Sequence, residues 1–300
     1  MTTSSPFDLL LERVSAGERL GADDLAQLAA TPDILQLGML ADTVRRALHG
    51  TQVTYLRVAL CPYDKPFTGA VPLAAREVRV TGKPDSLDVA ITAIETARAV
   101  AGDRTVSAFS WMDIETIAAA ASERTSKVLA RLRSAGLDAV AEVPLDRIGN
   151  QAEVIDAIVS AGYQEIRLTI EKAPADARAK LFIGAAALQE KCGACIRSIS
   201  PLPSLLDAMR PTTGYDDVKS VAIARLAAPN IPTVQVDWLR YGPKLAQVAL
   251  TFGADDVNNV SASDEAPDGR RRAPLEDVRR NIKAAGLEPA ERDGRFALIG

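Results

Sequence analysis

Apolar positions in the first fifty residues recur at helical spacings. Leu9, Leu10, Val14 and Leu20 are followed by Leu25, Leu28, Leu35, Leu37, Leu40 and Val44, a period that buries one side of a helix. The spacing predicts a helical leader over 8–50. Asp23 and Thr31 are the expected N-caps, with Pro32 in the first turn after Thr31. Gly50, after His49, is the expected C-cap.

From Gln52 the pattern shortens. β-rich runs at 52–60, 77–82, 104–110, 137–143, 164–170, 195–200, 231–237 and 255–260 alternate with Ala-rich helical stretches near 86–101, 113–135, 151–161, 175–191, 215–228 and 243–252. Strands separated by helices pair in parallel, because a parallel return needs a crossover. Eight of them predict a closed α/β fold, a TIM-type (β/α) barrel. One crossover is anomalous: only 61–76, CPYDKPFTGAVPLAAR, joins the first two strands, and its Pro and Gly content predicts a loop. The tail predicts a further helix (PLEDVRRNIKAAG) and a short strand (RFALIG). The expected organisation is a helical extension over 1–50, a barrel over 51–262 and a C-terminal extension over 263–300 packed on it.

Composition narrows the function classes. Hydrophobic residues make up 47% but aromatics only 4%, so the core is built of Ala, Leu, Val and Ile. A net charge of −4 leaves no cationic excess for phosphates, and nucleic acid is not an expected partner. No run of eighteen apolar residues predicts a membrane span. The N-terminus MTTSSPFDLLLERV does not read as a secretory signal. Three cysteines, an odd number, argue against a disulfide framework and fit a reducing cytoplasm.

Several stretches carry a family resemblance. SAGERLGADDLAQLAATPDILQLGMLADTVRRALHG resembles the N-terminal extension of aminofutalosine synthase, cyclic dehypoxanthine futalosine synthase and the larger FO-synthase component. WLRYGPKLAQVALTFGADDVNN is similar to that family's last barrel helix and strand. FSWMDIETIAAAASERTSKVLARLRSAGLDAVAEVPLDRI, DDVKSVAIARLAAPNIPTVQVDW and DVRRNIKAAGLEPAERDG follow it as well. The resemblance covers nearly the whole chain and implies a radical SAM barrel.

The departures concern the chemistry. The family places C-x-x-x-C-x-x-C after the first strand, where three thiolates hold a [4Fe–4S] cluster and leave one iron for SAM. Here that loop has only Cys61. The family's His-bearing element after the fifth strand is matched by LTIEKAPAD, with Glu171 and no histidine. His49 is the only histidine in the chain, so catalytic triads and His-metal sites are excluded. The [4Fe–4S] cluster is therefore not expected, whereas SAM or an adenosine-like ligand remains compatible with the resemblance.

Candidate site residues follow from strand ends, which a barrel gathers at one mouth. Cys61, Tyr63, Asp64 and Lys65 follow the first strand; Cys61 is a lone thiol with no histidine to activate it. Gly82 stands where the family has a SAM-contacting turn and permits close backbone approach. Ser110 ends the third strand. Glu142, Asp146 and Arg147 end the fourth, with Arg147 suited to a carboxylate. Thr169 and Glu171 end the fifth. Gln235, Asp237 and Trp238 end the seventh, and Asp255, Asp256, Asn258 and Asn259 populate the eighth. Glu142, Asp256 and Cys61 are the expected acid, base or nucleophile. Tyr63, Asp64, Gly82, Ser110, Arg147, Thr169, Glu171, Gln235, Trp238 and Asn258 are the expected ligand contacts. Each has a plainer alternative: a turn, a helix cap or a structural ion pair on the rim. Cys192-Gly-Ala-Cys195 could be a redox dithiol or half a metal site, but it falls at the opposite face and reads as structural. Arg270-Arg271-Arg272 reads as a solvated loop.

Three functions follow. One is a barrel without radical chemistry acting as a binding or partner subunit, with a small-molecule ligand and a cluster-bearing relative or a second copy as partner, linked to menaquinone or related biosynthesis. Another is acid/base chemistry on a nucleoside-like or chorismate-derived compound. The third, a radical SAM enzyme with ligands from elsewhere, requires Cys61, Cys192 and Cys195 to converge.

Overall fold

The computed structural model describes residues 5–65, 71–205, 209, 212–266 and 271–299. The leader is three helices, α1 (Pro6–Ser15), α2 (Ala22–Ala30) and α3 (Ile34–His49). The caps differ from those expected. Gly21 rather than Asp23 opens α2, and Thr31 closes it. Asp33 caps α3, its carboxylate accepting from the backbone N–H groups of Leu35 and Gln36. Gly50 ends α3 at φ +60° as predicted.

The barrel strands are β1 (Gln52–Pro62), β2 (Glu77–Thr81), β3 (Thr105–Ser110), β4 (Ala139–Pro144), β5 (Ile166–Ile170), β6 (Ile196–Pro203), β7 (Thr233–Asp237) and β8 (Asp256–Ser261). They pair in parallel in sequence order, and β1 pairs with both β2 and β8, which closes the barrel. Helices α4 (Leu87–Ala101), α5 (Trp111–Ala120), α6 (Thr125–Ser134), α7 (Gln151–Ser160), α8 (Ala175–Lys191), α9 (Gly214–Ala227) and α10 (Trp238–Leu250) connect them. The stretch expected as one helix near 113–135 is two, broken after Ala120 where Ser122 takes φ +53°. Gly242, at φ +73°, and Pro243 kink α10, which starts earlier than expected. Between β1 and β2 the described residues form no helix, in line with the short crossover.

The tail forms α11 (Pro274–Ala284) and β9 (Glu288–Glu291). β9, not RFALIG, is the added strand: it pairs in parallel with Gln52–Tyr55, at the end of β1 that β2 does not cover. RFALIG contributes only a bridge between Leu298 and Arg292. No helix among the described residues is long and apolar enough to cross a membrane.

Outward strand positions pack under the helices and are apolar: Val78, Val80, Val106, Leu168, Val234, Val236 and Val257 are all buried. The polar positions between them therefore face the lumen. In a (β/α) barrel the lumen is ordinarily filled by branched apolar side chains. Here it holds Glu77, Arg79, Ser107, Arg167, Thr169, Ser198, Gln235 and Asp256, each at most 9% exposed.

Candidate active site

The lower lumen is a charge network. Arg167 binds the Glu77 carboxylate through both terminal nitrogens, at 3.1 and 2.8 Å, and donates to the Gly294 carbonyl at 2.7 Å. Arg79 binds Glu77 at 2.6 and 3.0 Å and reaches Ser107 and Asn258. Burial alone would raise the Glu77 pKa, but Arg167 and Arg79, with hydrogen bonds from Arg167 and Ser107, hold it well below the usual carboxylate range. Asp256 accepts from Arg292 at 2.5 and 2.8 Å, from Thr54 Oγ1 at 2.5 Å and from Gln235 Nε2 at 2.9 Å. The tail closes the floor: the Phe296 ring lies 4.1 Å from the Arg292 guanidinium carbon, with Arg167 and Arg197 also against it. A Cβ on Gly294 would fall 2.5 Å from Thr105 Cβ, so only glycine fits there.

This geometry corrects two expected roles. Asp256 is completely buried and already engaged by three partners, so it builds the floor and is not an acid or base open to the mouth. Gln235 orients Asp256 and is likewise a floor residue. Asn258 bridges levels, accepting from Arg79 at 3.4 Å and from its neighbour's backbone N–H at 2.7 Å.

Above the floor the lumen side chains are less buried. Thr81, Ser110, Glu142, Ser200, Asp237 and Asn258 are all half-buried at or near the C-terminal ends of their strands. Glu142 reaches Arg240 across the mouth at 3.4 Å. Asp237 caps α10 and accepts from Asn259 Nδ2 at 3.1 Å. Ser110 caps α5 in a reciprocal arrangement with Asp113, which occupies its hydroxyl. Trp238 is the first residue of α10 and packs against the core. Arg147 pairs with Glu171 at 3.4 Å. Asp146 pins the loop after β5 by accepting from the backbone N–H groups of Glu171, Lys172 and Ala173 at 2.7–2.8 Å. These contacts make Arg147 and Glu171 a rim ion pair.

The loop after β1 points elsewhere. Cys61 pairs in register with Val80, and both face the helical layer between the lumen-facing positions. Its thiol is 3% exposed, and burial pushes its pKa up. It lines an outer groove of about 380 Å³ with Tyr63, Asp64, Lys65 and residues of α4 such as Asp88 and Thr92. Gly82, at φ +97°, serves Tyr63: a Cβ there would lie 2.5 Å from the Tyr63 ring. Thus Cys61, Tyr63, Asp64 and Gly82 cluster, but outside the lumen. Cys192 and Cys195, read as structural, are joined as a disulfide at the N-terminal end of β6, the opposite end of the barrel from Cys61, although the odd cysteine count argued against a disulfide framework. His49 sits beneath the barrel, with Nε2 2.8 Å from the Pro232 carbonyl and 3.4 Å from the buried Asp255. Of the three-Arg run, Arg270 lies outside the described residues; Arg272 pairs with Glu276.

Reading residues as a sequence missed Glu77, Arg79, Arg167 and Arg292. The signal was the alternation in EVRV, IRLT, VQVD and DVNN, where helices cover the apolar side.

Known proteins agree with this architecture. Residues 201–299 match the model of the CofH/MqnC C-terminal region. Over 97% of this chain and 95% of its own length, aminodeoxyfutalosine synthase of Thermus thermophilus is 26% identical. The chain is similar to this synthase along nearly its whole length. The 5-amino-6-(D-ribitylamino)uracil–L-tyrosine 4-hydroxyphenyl transferase of Archaeoglobus fulgidus is also 26% identical, over 87% of this chain and 92% of its own. The Thermus alignment runs over 358 positions against 300 residues here, so that relative carries segments this chain lacks. Among solved structures, the hydrogenase maturase HydG superposes with a TM-score of 0.68 at 16% identity, covering 96% of this chain and 77% of its own. Methylornithine synthase (PylB) gives 0.67 at 13%, covering 96% and 98%. At these identities the superpositions speak for the fold.

Proposed function

We propose that this chain is a radical SAM-type barrel that does not hold a [4Fe–4S] cluster and works as a non-radical ligand-binding or partner subunit in futalosine-type or related cofactor biosynthesis. The observation that carries the reading is the disposition of the three cysteines. A cluster of this type needs three thiolates within one loop. Cys61 is buried and turned from the lumen, and the other two sulfurs are bonded to each other at the far end. The residues present do not fit the cluster.

The pathway link comes from the relatives, and a cluster-bearing relative is the natural partner because it would supply what this barrel lacks. SAM or another adenosine-like molecule fits the same reading as a ligand bound without iron. Purification of the tagged chain from its host, with identification of what accompanies it, tests the partner role. A radical SAM relative recovered stoichiometrically is the expected result; repeated recovery of the chain alone counts against it.

A second reading rests on Glu142 and Arg240. They form a half-exposed acid–base pair across an open mouth, the setting in which a carboxylate can work as a general base. Turnover of a nucleoside-like or chorismate-derived compound by metal-free protein, lost in Glu142→Gln, would favour this enzyme role.

A further inference from the structure

The turn that joins α8 to β6 carries chemistry that the barrel mouth does not use. Cys192 closes α8, Cys195 stands one residue before β6, and their sulfurs are bonded. Both cysteines are half-buried, while Gly193 and Ala194 between them and Lys191 before them are exposed. A thiolate from solution can therefore approach the bond at the N-terminal end of the barrel.

The turn is held without the sulfur bridge. A disulfide stabilises most when it closes a long loop in the unfolded chain, and here the two cysteines are only three positions apart. Hydrogen bonds anchor the turn on both sides instead. Gln189, 4% exposed, donates through Nε2 to the Ile196 carbonyl and accepts the Ile196 N–H, both at 2.8 Å, which clamps α8 to the start of β6. Its Nε2 also reaches the Asn230 carbonyl at 3.2 Å. The Ala194 N–H donates to the Gln189 carbonyl at 3.2 Å, and the Cys195 carbonyl accepts from the Ile166 N–H on β5 at 3.2 Å. None of these bonds involves a sulfur. They keep the two Cα atoms near their 5.7 Å separation, a spacing at which a disulfide closes. The pair is thus built to open and reclose without freeing a segment of the fold.

We propose that Cys192 and Cys195 form a thiol–disulfide exchange site that accepts two electrons from an external dithiol. A thiolate of the dithiol attacks one sulfur of the bridge and forms a mixed disulfide, and the released cysteine sulfur takes a proton. The second thiol of the dithiol then gives up its proton and displaces the remaining cysteine, which is protonated in turn. The dithiol ends as a disulfide, and Cys192 and Cys195 end as two thiols. An external disulfide such as oxidised glutathione runs the exchange in reverse. The site lies at the opposite end of the barrel from the mouth and operates whatever the mouth binds.

Reduction of the folded full chain by dithiothreitol, with acid quenching, maleimide labelling and peptide mass mapping, tests it. Cys192 and Cys195 are expected to open in native buffer at a rate within about tenfold of that in the urea-unfolded chain. Oxidised glutathione should reclose them, and in Cys195→Ser it should leave one glutathione bonded to Cys192. The reduced chain and the Cys192→Ser/Cys195→Ser double variant should keep thermal unfolding midpoints close to that of the oxidised parent. Slower opening than that in the folded chain, failure to reclose, no glutathione adduct in the single variant, or a large fall in the midpoint on reduction would overturn the exchange site. Iron–sulfur reconstitution reads the proposed function independently, so the two can fail separately.

Discussion

Arg292 grips Asp256 through two hydrogen bonds, 2.5 and 2.8 Å long, and so ties the last residues of the chain to the first residue of β8 inside the barrel. Both side chains are essentially unexposed. Removing one partner strands the other charge in the lumen. Asp256→Ala should destabilise the fold by about 3–5 kcal/mol, measured by urea unfolding. A variant that unfolds like the parent but loses ligand binding or turnover would return Asp256 to the functional site.

Acid should unpick the same floor. Glu77 has its folded-state pKa depressed, so its ion pairs contribute stability above the ordinary carboxylate value of 4.5 and lose it as pH falls toward the folded value. Glu291, held low against its own burial by Arg57 and Arg76, acts in the same direction. The urea midpoint is expected to fall steeply below about pH 4.5. Glu77→Gln should start less stable and show a shallower acid limb.

Thiol chemistry reads the cysteine arrangement directly. The native chain should react slowly with a maleimide because Cys61 is buried and its pKa raised. Unfolding without reductant should release one reactive thiol, and unfolding with reductant all three. Three thiols without reductant would mean that Cys192 and Cys195 are not bonded.

The turn after β2 tests whether Gly82 serves the fold. Gly82→Ala combines a positive φ with a Cβ 2.5 Å from the Tyr63 ring and should cost about 1–3 kcal/mol. Tyr63→Ala in the same chain removes the clash and should recover part of the loss. A fully additive double variant would break the link between the two residues.

Much of the frame was legible because it is periodic. All eight strands lie within three residues of their expected bounds, and the helix at 175–191 coincides with α8. The misses have local causes. Thr31 looks like a cap beside Pro32, yet Asp33, two residues on, offers the better-placed acceptor. RFALIG has strand-like composition, but the open edge of β1 is met by Glu288–Glu291. For the site, Glu142 and Arg147 lie at the rim, where the ends of their strand place them. Lying near a strand end does not by itself put a residue on the lumen face, which alternation decides, and that is why Cys61 fell outside the lumen; Asp256, at the start of β8 rather than its end, fell into the floor. Arg167 and Glu77 pair across ninety residues, a relation only the closed barrel reveals.

The most direct test of the central claim is anaerobic reconstitution of the full chain with iron and sulfide, followed by SAM and dithionite. A colourless protein with no cluster absorbance or electron paramagnetic signal, and no 5′-deoxyadenosine, is the expected result. A brown protein that cleaves SAM reductively would contradict a barrel without the cluster.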